Sequence, residues 1–318
     1  MKHFTLPKEG GLVEKNIPSD ILHSYEKIRT EIYDQSTTAS EVIADEIIDS
    51  INACQGRTFK LGLSTGVTPV SLYKWLTRKY QEGKVSFSNV EVYSIDEYYP
   101  YGKGEPQSRN SILHNSLLNA VDIKEENIHI PDGSVPEDKI TAYCEEYDKM
   151  VRGLDMLVIG MGEMAQVGFN EAGTSPVSRT RTVLLSYQSR KRQGKNFNGD
   201  FKHTPSQAIT IGIDTMMSAK KIVLMAWGED KANAVKHVCE CNPDYEYPAS
   251  LLQGHQNICC YVDETAGSLL TRVVSPWLVG PCDWTRKFIR KAVVWLCQEV
   301  HKPILKLTQK DYLEHSLG

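Results

Sequence analysis

The chain has 318 residues, with 36 Lys+Arg against 40 Asp+Glu and a formal net charge of -4. This near balance excludes a dedicated polyanion binder, so no nucleic-acid partner is expected. With 41% hydrophobic residues there is enough apolar material for a proper core, which excludes wholesale disorder.

No apolar run approaches ~18 residues, so no membrane partner is expected. The opening MKHFTLPKEGGLVEK lacks the apolar stretch of a signal peptide, and a cytoplasmic location is the default. The length fits two domains, or one large α/β domain with appendages. We divide it into an N-terminal segment (1–39), a main domain (40–275) and a helical extension (276–318).

In chain order, the N-terminal stretch is mixed and predicts one helix near 21–29. Residues 40–51 repeat apolar positions at three and four, the pattern of an amphipathic helix. TFKLGL (58–63) predicts a strand, PVSLYKWLTRKY (69–80) a helix and VEVYSI (90–95) a strand. A helix at 140–151 leads to the apolar strand LDMLVI (154–159). AITIGI (208–213), KIVLMAW (221–227) and NICCYV (257–262) are further strands, with a helix at 231–239 between the last two. A helix at 284–300 carries Phe288, Ile289, Val293 and Trp295 among its apolar positions. Strands alternating with helices predict an α/β fold, a largely parallel sheet covered on both faces in three layers.

The eight cysteines are Cys54, Cys144, Cys239, Cys241, Cys259, Cys260, Cys282 and Cys297. They are spread along a long chain, unlike the dense framework of a small secreted domain. His237-Val-Cys239-Glu-Cys241 suggests metal at first sight. A zinc site usually has two residues between paired cysteines and a second ligand pair elsewhere, and neither is found. Reduced thiols near a helix end are the reading, with no metal.

Parallel sheets bind ligands beyond the carboxyl ends of their strands. After TFKLGL come Ser64, Thr65, Gly66, Val67, Thr68 and Pro69, a turn into a helix. Its free N–H groups and hydroxyls suit a phosphate, although an ordinary capped turn reads the same way. Asp96 and Glu97 follow VEVYSI. Asp96 is a candidate general base, against the alternative of a solvated acidic loop. After LDMLVI, Gly160-Met-Gly162-Glu-Met-Ala165 matches a dinucleotide pattern, but no acid stands ~20 residues on to hold a ribose. Lys195, Arg181 and Lys231 are the basic candidates.

These segments together resemble the glucosamine-6-phosphate deaminase/isomerase family and its sugar-phosphate isomerase-like relatives. The carrying residues are LGLSTGVTP (61–69), SIDEYY (94–99), GMGEMAQVGFNE (160–171), SRTR (178–181), WGEDKA (227–232) and PASLLQGH (248–255). The resemblance implies a Rossmann-related fold and a phosphorylated amino sugar as partner. It also implies homo-oligomers and no metal or organic cofactor.

The implied reaction converts glucosamine 6-phosphate to fructose 6-phosphate and ammonia. By resemblance, Asp96 moves the C2 proton and Glu171 supports ring opening. Ser64, Thr65, Gly66, Thr68, Lys195 and Lys231 fall on or near the phosphate grip. Arg181 falls where some members bind an allosteric amino-sugar phosphate.

Departures accompany the matches. The family segment usually reads Gly-x-Gly-x-Asp-Gly-His, and here Met164, Ala165 and Gln166 fill its last three places. Glutamine does not exchange a proton near neutral pH, as the ring-opening histidine does. Val67 stands where Gly or Ser is preferred, and Lys195 where arginine is usual. The extension resembles the segment by which longer relatives enter a deacetylase-like domain. It is expected to pack on the chain's own core or on a neighbouring subunit. Three readings follow: a deaminase/isomerase of reduced activity, a silent sugar-phosphate sensor or regulatory paralogue, and a related phosphosugar isomerase or lactonase.

Overall fold

The computed structural model describes residues 25–54, 56–197, 199 and 201–317. The strands among them are β1 (Arg29–Tyr33), β2 (Phe59–Leu63), β3 (Val90–Ser94), β4 (Asp96–Tyr99), β5 (Ile128–His129), β6 (Met156–Gly160), β7 (Arg181–Leu184), β8 (Gln207–Thr210), β9 (Ile222–Ala226) and β10 (Ile258–Asp263). Seven of them form a parallel sheet in the order β1-β10-β9-β6-β2-β3-β5. The other three form a small antiparallel sheet, β4-β8-β7.

The main helices are α1 (Ser36–Ala53), α2 (Val70–Gln81), α3 (Arg109–Ser116), α4 (Ile140–Val151), α5 (Tyr187–Gln193), α6 (Ile213–Met217), α7 (Ala232–Glu240), α8 (Thr271–Val274), α9 (Arg286–Glu299) and α10 (Gln309–Glu314). Successive strand residues point to opposite faces, and here they feed two separate cores. Met156, Val158, Val223 and Met225 meet Ile43, Ile47, Leu72 and Leu76 from α1 and α2. Leu157, Ile159, Leu224 and Cys260 meet Tyr147, Met216, Val235 and Val238 from α4, α6 and α7. Burial on both faces is why these strands read as continuous apolar runs.

The chain leaves β2 for β3 on one side. The neighbouring β6 continues in this sheet to β9 on the other side. Connections therefore part between β2 and β6, the switch point at which such sheets form a crevice. The loops at 64–69 and 161–171 leave the carboxyl ends of these two strands.

Several expectations shift. The helix predicted near 21–29 falls mostly outside the described residues. Arg29 instead opens β1, an edge strand paired to β10. The strand predicted at 208–213 is β8, and it belongs to the antiparallel sheet. The helix predicted at 284–300 is α9, resting on Trp277 through Phe288 and Trp295. Ile289 points to solvent, while Ala292 and Leu296 supply the buried stripe. His237 stacks on Tyr247, with ring centroids 4.1 Å apart.

Candidate active site

The loop after β2 is tied on both sides of the switch point. Ser64 Oγ accepts from Gly160 N–H at 3.1 Å, and the Tyr73 hydroxyl donates to the Ser64 carbonyl. Trp227 Nε1 donates to the Thr68 carbonyl at 3.0 Å, joining the end of β9 to the same loop. Gly66 has φ 116°, a backbone that favours glycine. Val67 projects into solvent and is 90% exposed. No side chain caps the first turn of α2, and Thr65 Oγ1 is buried with no hydrogen-bond partner. Such orphaned polar atoms are rare in protein interiors.

The adjacent acids have separate surroundings because a strand turns neighbours to opposite faces. Glu97 accepts N–H bonds from Tyr98 at 2.8 Å, Arg109 at 2.9 Å and Asn110 at 3.0 Å, which anchors the first turn of α3. Burial pushes its carboxyl up to about 7, against the pull of those three donors. Asp96 is 4% exposed, with Oδ1 3.3 Å from Arg109 Nε. Burial raises its pKa, and the Arg109 charge opposes that rise. A Cβ on Gly168 would lie 3.4 Å from Asp96 Oδ2, so the loop after β6 runs past this carboxylate.

That loop folds back on itself. Gly162 N–H donates to the Gln166 carbonyl at 2.9 Å, and Met164 N–H donates to Gln166 Oε1 at 3.0 Å. Ala165 sits at φ 55°, the left-handed region that suits the family's glycine. Met164, Gln166, Glu171 and Arg192 share a 210 Å³ cleft. Glu171 Oε2 accepts from Ser186 N–H at 3.1 Å, whereas its Oε1 is buried without a partner. Arg192 pairs with Glu163 at 2.7 Å.

Contacts thus join Ser64 and Thr68 to the start of the β6 loop, and Asp96 to its Gly168. Lys231 lies in the turn before α7 with its ammonium on Asp230. Lys195 is exposed on the turn after α5, and among the described residues no hydrogen bond or ion pair ties it to the β2 loop. Arg181 lies on β7, where Nη1 donates to Asn170 Oδ1 at 3.1 Å, and burial lowers its pKa. It lines two cavities of 490 and 480 Å³, one against α4 and one against the 169–178 segment. Sequence reasoning missed Arg109 and Arg192. Arg109 carried no signal, because nothing in SRNSIL marks an arginine that will be buried.

Residues 34–167 match the family of glucosamine-6-phosphate isomerases and 6-phosphogluconolactonases. A glucosamine-6-phosphate deaminase-like protein of Bacteroides thetaiotaomicron is 40% identical over 96% of this chain. The chain spans 47% of that relative's length. Glucosamine-6-phosphate deaminase 2 of Bacillus subtilis is 38% identical over 66% of this chain and 85% of its own. A solved monomeric glucosamine-6-phosphate deaminase superposes with a TM-score of 0.72 at 31% identity. That match covers 76% of this chain and all of the relative, 100%.

Proposed function

The chain belongs to the glucosamine-6-phosphate deaminase/isomerase family, and from that premise we propose that it binds an amino-sugar phosphate and deaminates it slowly. One observation carries the reading. Thr65 Oγ1 and Glu171 Oε1 are buried oxygens without hydrogen bonds, on the segments that leave β2 and β6, and Asp96 stands on the segment that leaves β3. A ligand bearing hydroxyls and a phosphate would supply the missing partners.

In the proposed reaction the phosphate sits on the 64–69 loop at the start of α2, where N–H groups and the Thr65 hydroxyl donate. Lys195 and Lys231 would add positive charge there. Ring opening frees the C1 aldehyde. Asp96 takes the proton from C2, the electron pair forms a C1–C2 double bond, and the displaced carbonyl pair moves to O1, which takes up a proton. The proton held by Asp96 then goes to C1 while the amine lone pair closes onto C2, leaving an iminium at C2. Water hydrolyses this iminium to fructose 6-phosphate and ammonia, so no step calls on a metal or organic cofactor.

Ring opening is the weak step. Gln166 can hold a hydrogen bond but does not exchange a proton near pH 7, and Met164 brings no carboxylate to assist Glu171. The same two residues favour the second reading, a silent binder of sugar phosphates.

The test is ammonia release from glucosamine 6-phosphate by the purified chain, beside thermal shifts with that sugar and with glucosamine. Stabilisation by the phosphate ester alone is expected, because only a ligand of the folded state stabilises it. Turnover is expected below the common range of ~1–10³ s⁻¹. Binding with no ammonia selects the silent reading, and equal response to both sugars removes the phosphate assignment. Hydrolase action in amino-sugar catabolism, a cytoplasmic location, a homo-oligomer and an allosteric Arg181 belong to the same proposal.

A further inference from the structure

We infer that Arg109 is the positioning residue of Asp96: a buried cation, resting against two adjoining aromatic rings, that orients one carboxylate oxygen and leaves the other for substrate. The inference rests on the proton-transfer role proposed for Asp96.

Arg109 is the first residue of α3, and its place is fixed from both sides. Glu97 accepts its N–H at 2.9 Å, and Ser108 caps the helix by accepting from Ser111 N–H at 3.0 Å. The guanidinium lies 4.7 Å from the Tyr98 ring centroid and 5.1 Å from that of Phe169. Phe169 belongs to the loop after β6, so this contact joins the Asp96 strand to the Gln166 segment. Cations held over aromatic faces in a desolvated site are strongly localised.

The contact with Asp96 is incomplete. Nε stands 3.3 Å from Oδ1, yet neither atom makes a hydrogen bond. A bidentate fork would stabilise the carboxylate strongly and make it a poor base. A buried carboxylate with no cation would be protonated and unable to take a proton. One ungripped charge lies between these limits, which suits a base working near neutral pH. Oδ2 meanwhile lies beside Gly168, where a Cβ would come within 2.8 Å of Thr210 Oγ1 and 3.4 Å of Oδ2, so only a glycine lets the loop pack this close to the carboxylate.

The titratable groups that feel the Asp96 charge are the hydroxyls of Tyr73 on α2, Tyr98 on β4 and Tyr147 on α4, each pushed up by burial and by that carboxylate. Glu97 acts on Arg109 itself. Arg109 is the cation of this set, and its charge is what opposes the rise that burial imposes on Asp96.

The experiment is a ¹³C-carboxyl NMR titration of Asp96 in the full chain, with Asp96→Asn identifying the signal. It is run on the wild type, Arg109→Gln and Arg109→Lys. The signal is expected to titrate at higher pH in Arg109→Gln, with Arg109→Lys between that variant and the wild type. The acidic limb of ammonia release should move the same way, with at least a ~10-fold loss at pH 7 in Arg109→Gln. Should Arg109→Gln fail to fold, Phe169→Leu loosens the contact instead and is expected to raise the Asp96 titration. An unmoved Asp96 signal in the folded variants overturns the inference. A wild type that releases no ammonia counts against the deaminase reading, and the carboxyl titration still decides the role of Arg109.

Discussion

The Gln166 side chain lies so close to Gly162 that a Cβ on that glycine would fall 2.1 Å from its amide carbon. The same amide oxygen accepts Met164 N–H at 3.0 Å. Gln166 therefore clasps the turn that the family builds around a histidine. A Gly162→Ala change would push out the far end of a flexible side chain, so the fold should survive. The Met164 amide would lose its acceptor, and its hydrogen exchange should quicken by ~10-fold or more, the signature of a local opening. Unchanged protection would show that the clasp is idle.

Gly160 tests the other end of the crevice. A Cβ there would meet Thr68 Cβ at 2.9 Å and Thr68 Oγ1 at 3.1 Å. Thr68 is β-branched and its carbonyl is held by Trp227, so the side chain cannot swing clear. Gly160→Ala should shift the phosphate loop and cost ~1–3 kcal/mol of stability, as overpacking does. Calorimetric titration should also show at least ~10-fold weaker binding of glucosamine 6-phosphate, since a misplacement of ~1 Å is expensive at such sites. Affinity equal to wild type would remove this loop from the ligand.

The central strands were legible because burial on both faces leaves apolar runs of about five residues, IVLMA (222–226) around Leu224 and ICCYV (258–262) around Cys260. β1 was not, because Arg29 and Glu31 pair on its exposed edge and break the run. The small sheet was missed for a different reason. Only Ile95 separates the end of β3 from the start of β4, so DEYY reads as the tail of its predecessor. The strand-end rule still led to Thr65, Asp96 and Glu171, since topology alone decides what lies at a carboxyl edge. It could not single out Arg109, which reaches Asp96 through a helix that has little apolar periodicity of its own.

Acid stability should report on the opposite end of the sheet. Asp155 is buried, which alone would raise its pKa. Arg57 at 2.8 Å, Lys220 at 2.7 Å and the Lys60 N–H at 2.9 Å hold it down to about 2. A carboxylate depressed on folding contributes stability above its unfolded pKa of roughly 4, and that contribution is lost as pH falls through its folded value. Asp155→Asn should therefore melt below wild type at pH 7, and the gap should close as the pH falls from roughly 4 to about 2. Arg57 and Lys220 are largely exposed, so added salt should narrow the gap as well. A gap constant between pH 7 and pH 2 would mean that the ion pairs contribute nothing.

The decisive change is the restoration of the ring-opening group. Met164 is 47% exposed at the mouth of the cleft that holds Gln166 and Glu171. Both replaced positions can therefore accept polar side chains without entering the core. Gln166→His combined with Met164→Asp should raise ammonia release by at least ~10-fold, part of the ~10²–10⁴ that a general acid–base group supplies. Asp96→Asn in that background should abolish the gain, because the C2 proton loses its base. Glu171→Gln should reduce it, because its unpartnered oxygen is the group placed to support the new imidazole. If the double variant binds the sugar phosphate and still releases no ammonia, the defect lies in placement, and Val67 and Lys195 become the residues to revert. That outcome would favour a binder over a slowed enzyme, because a base as well enclosed as Asp96 would then hold its ligand out of reach.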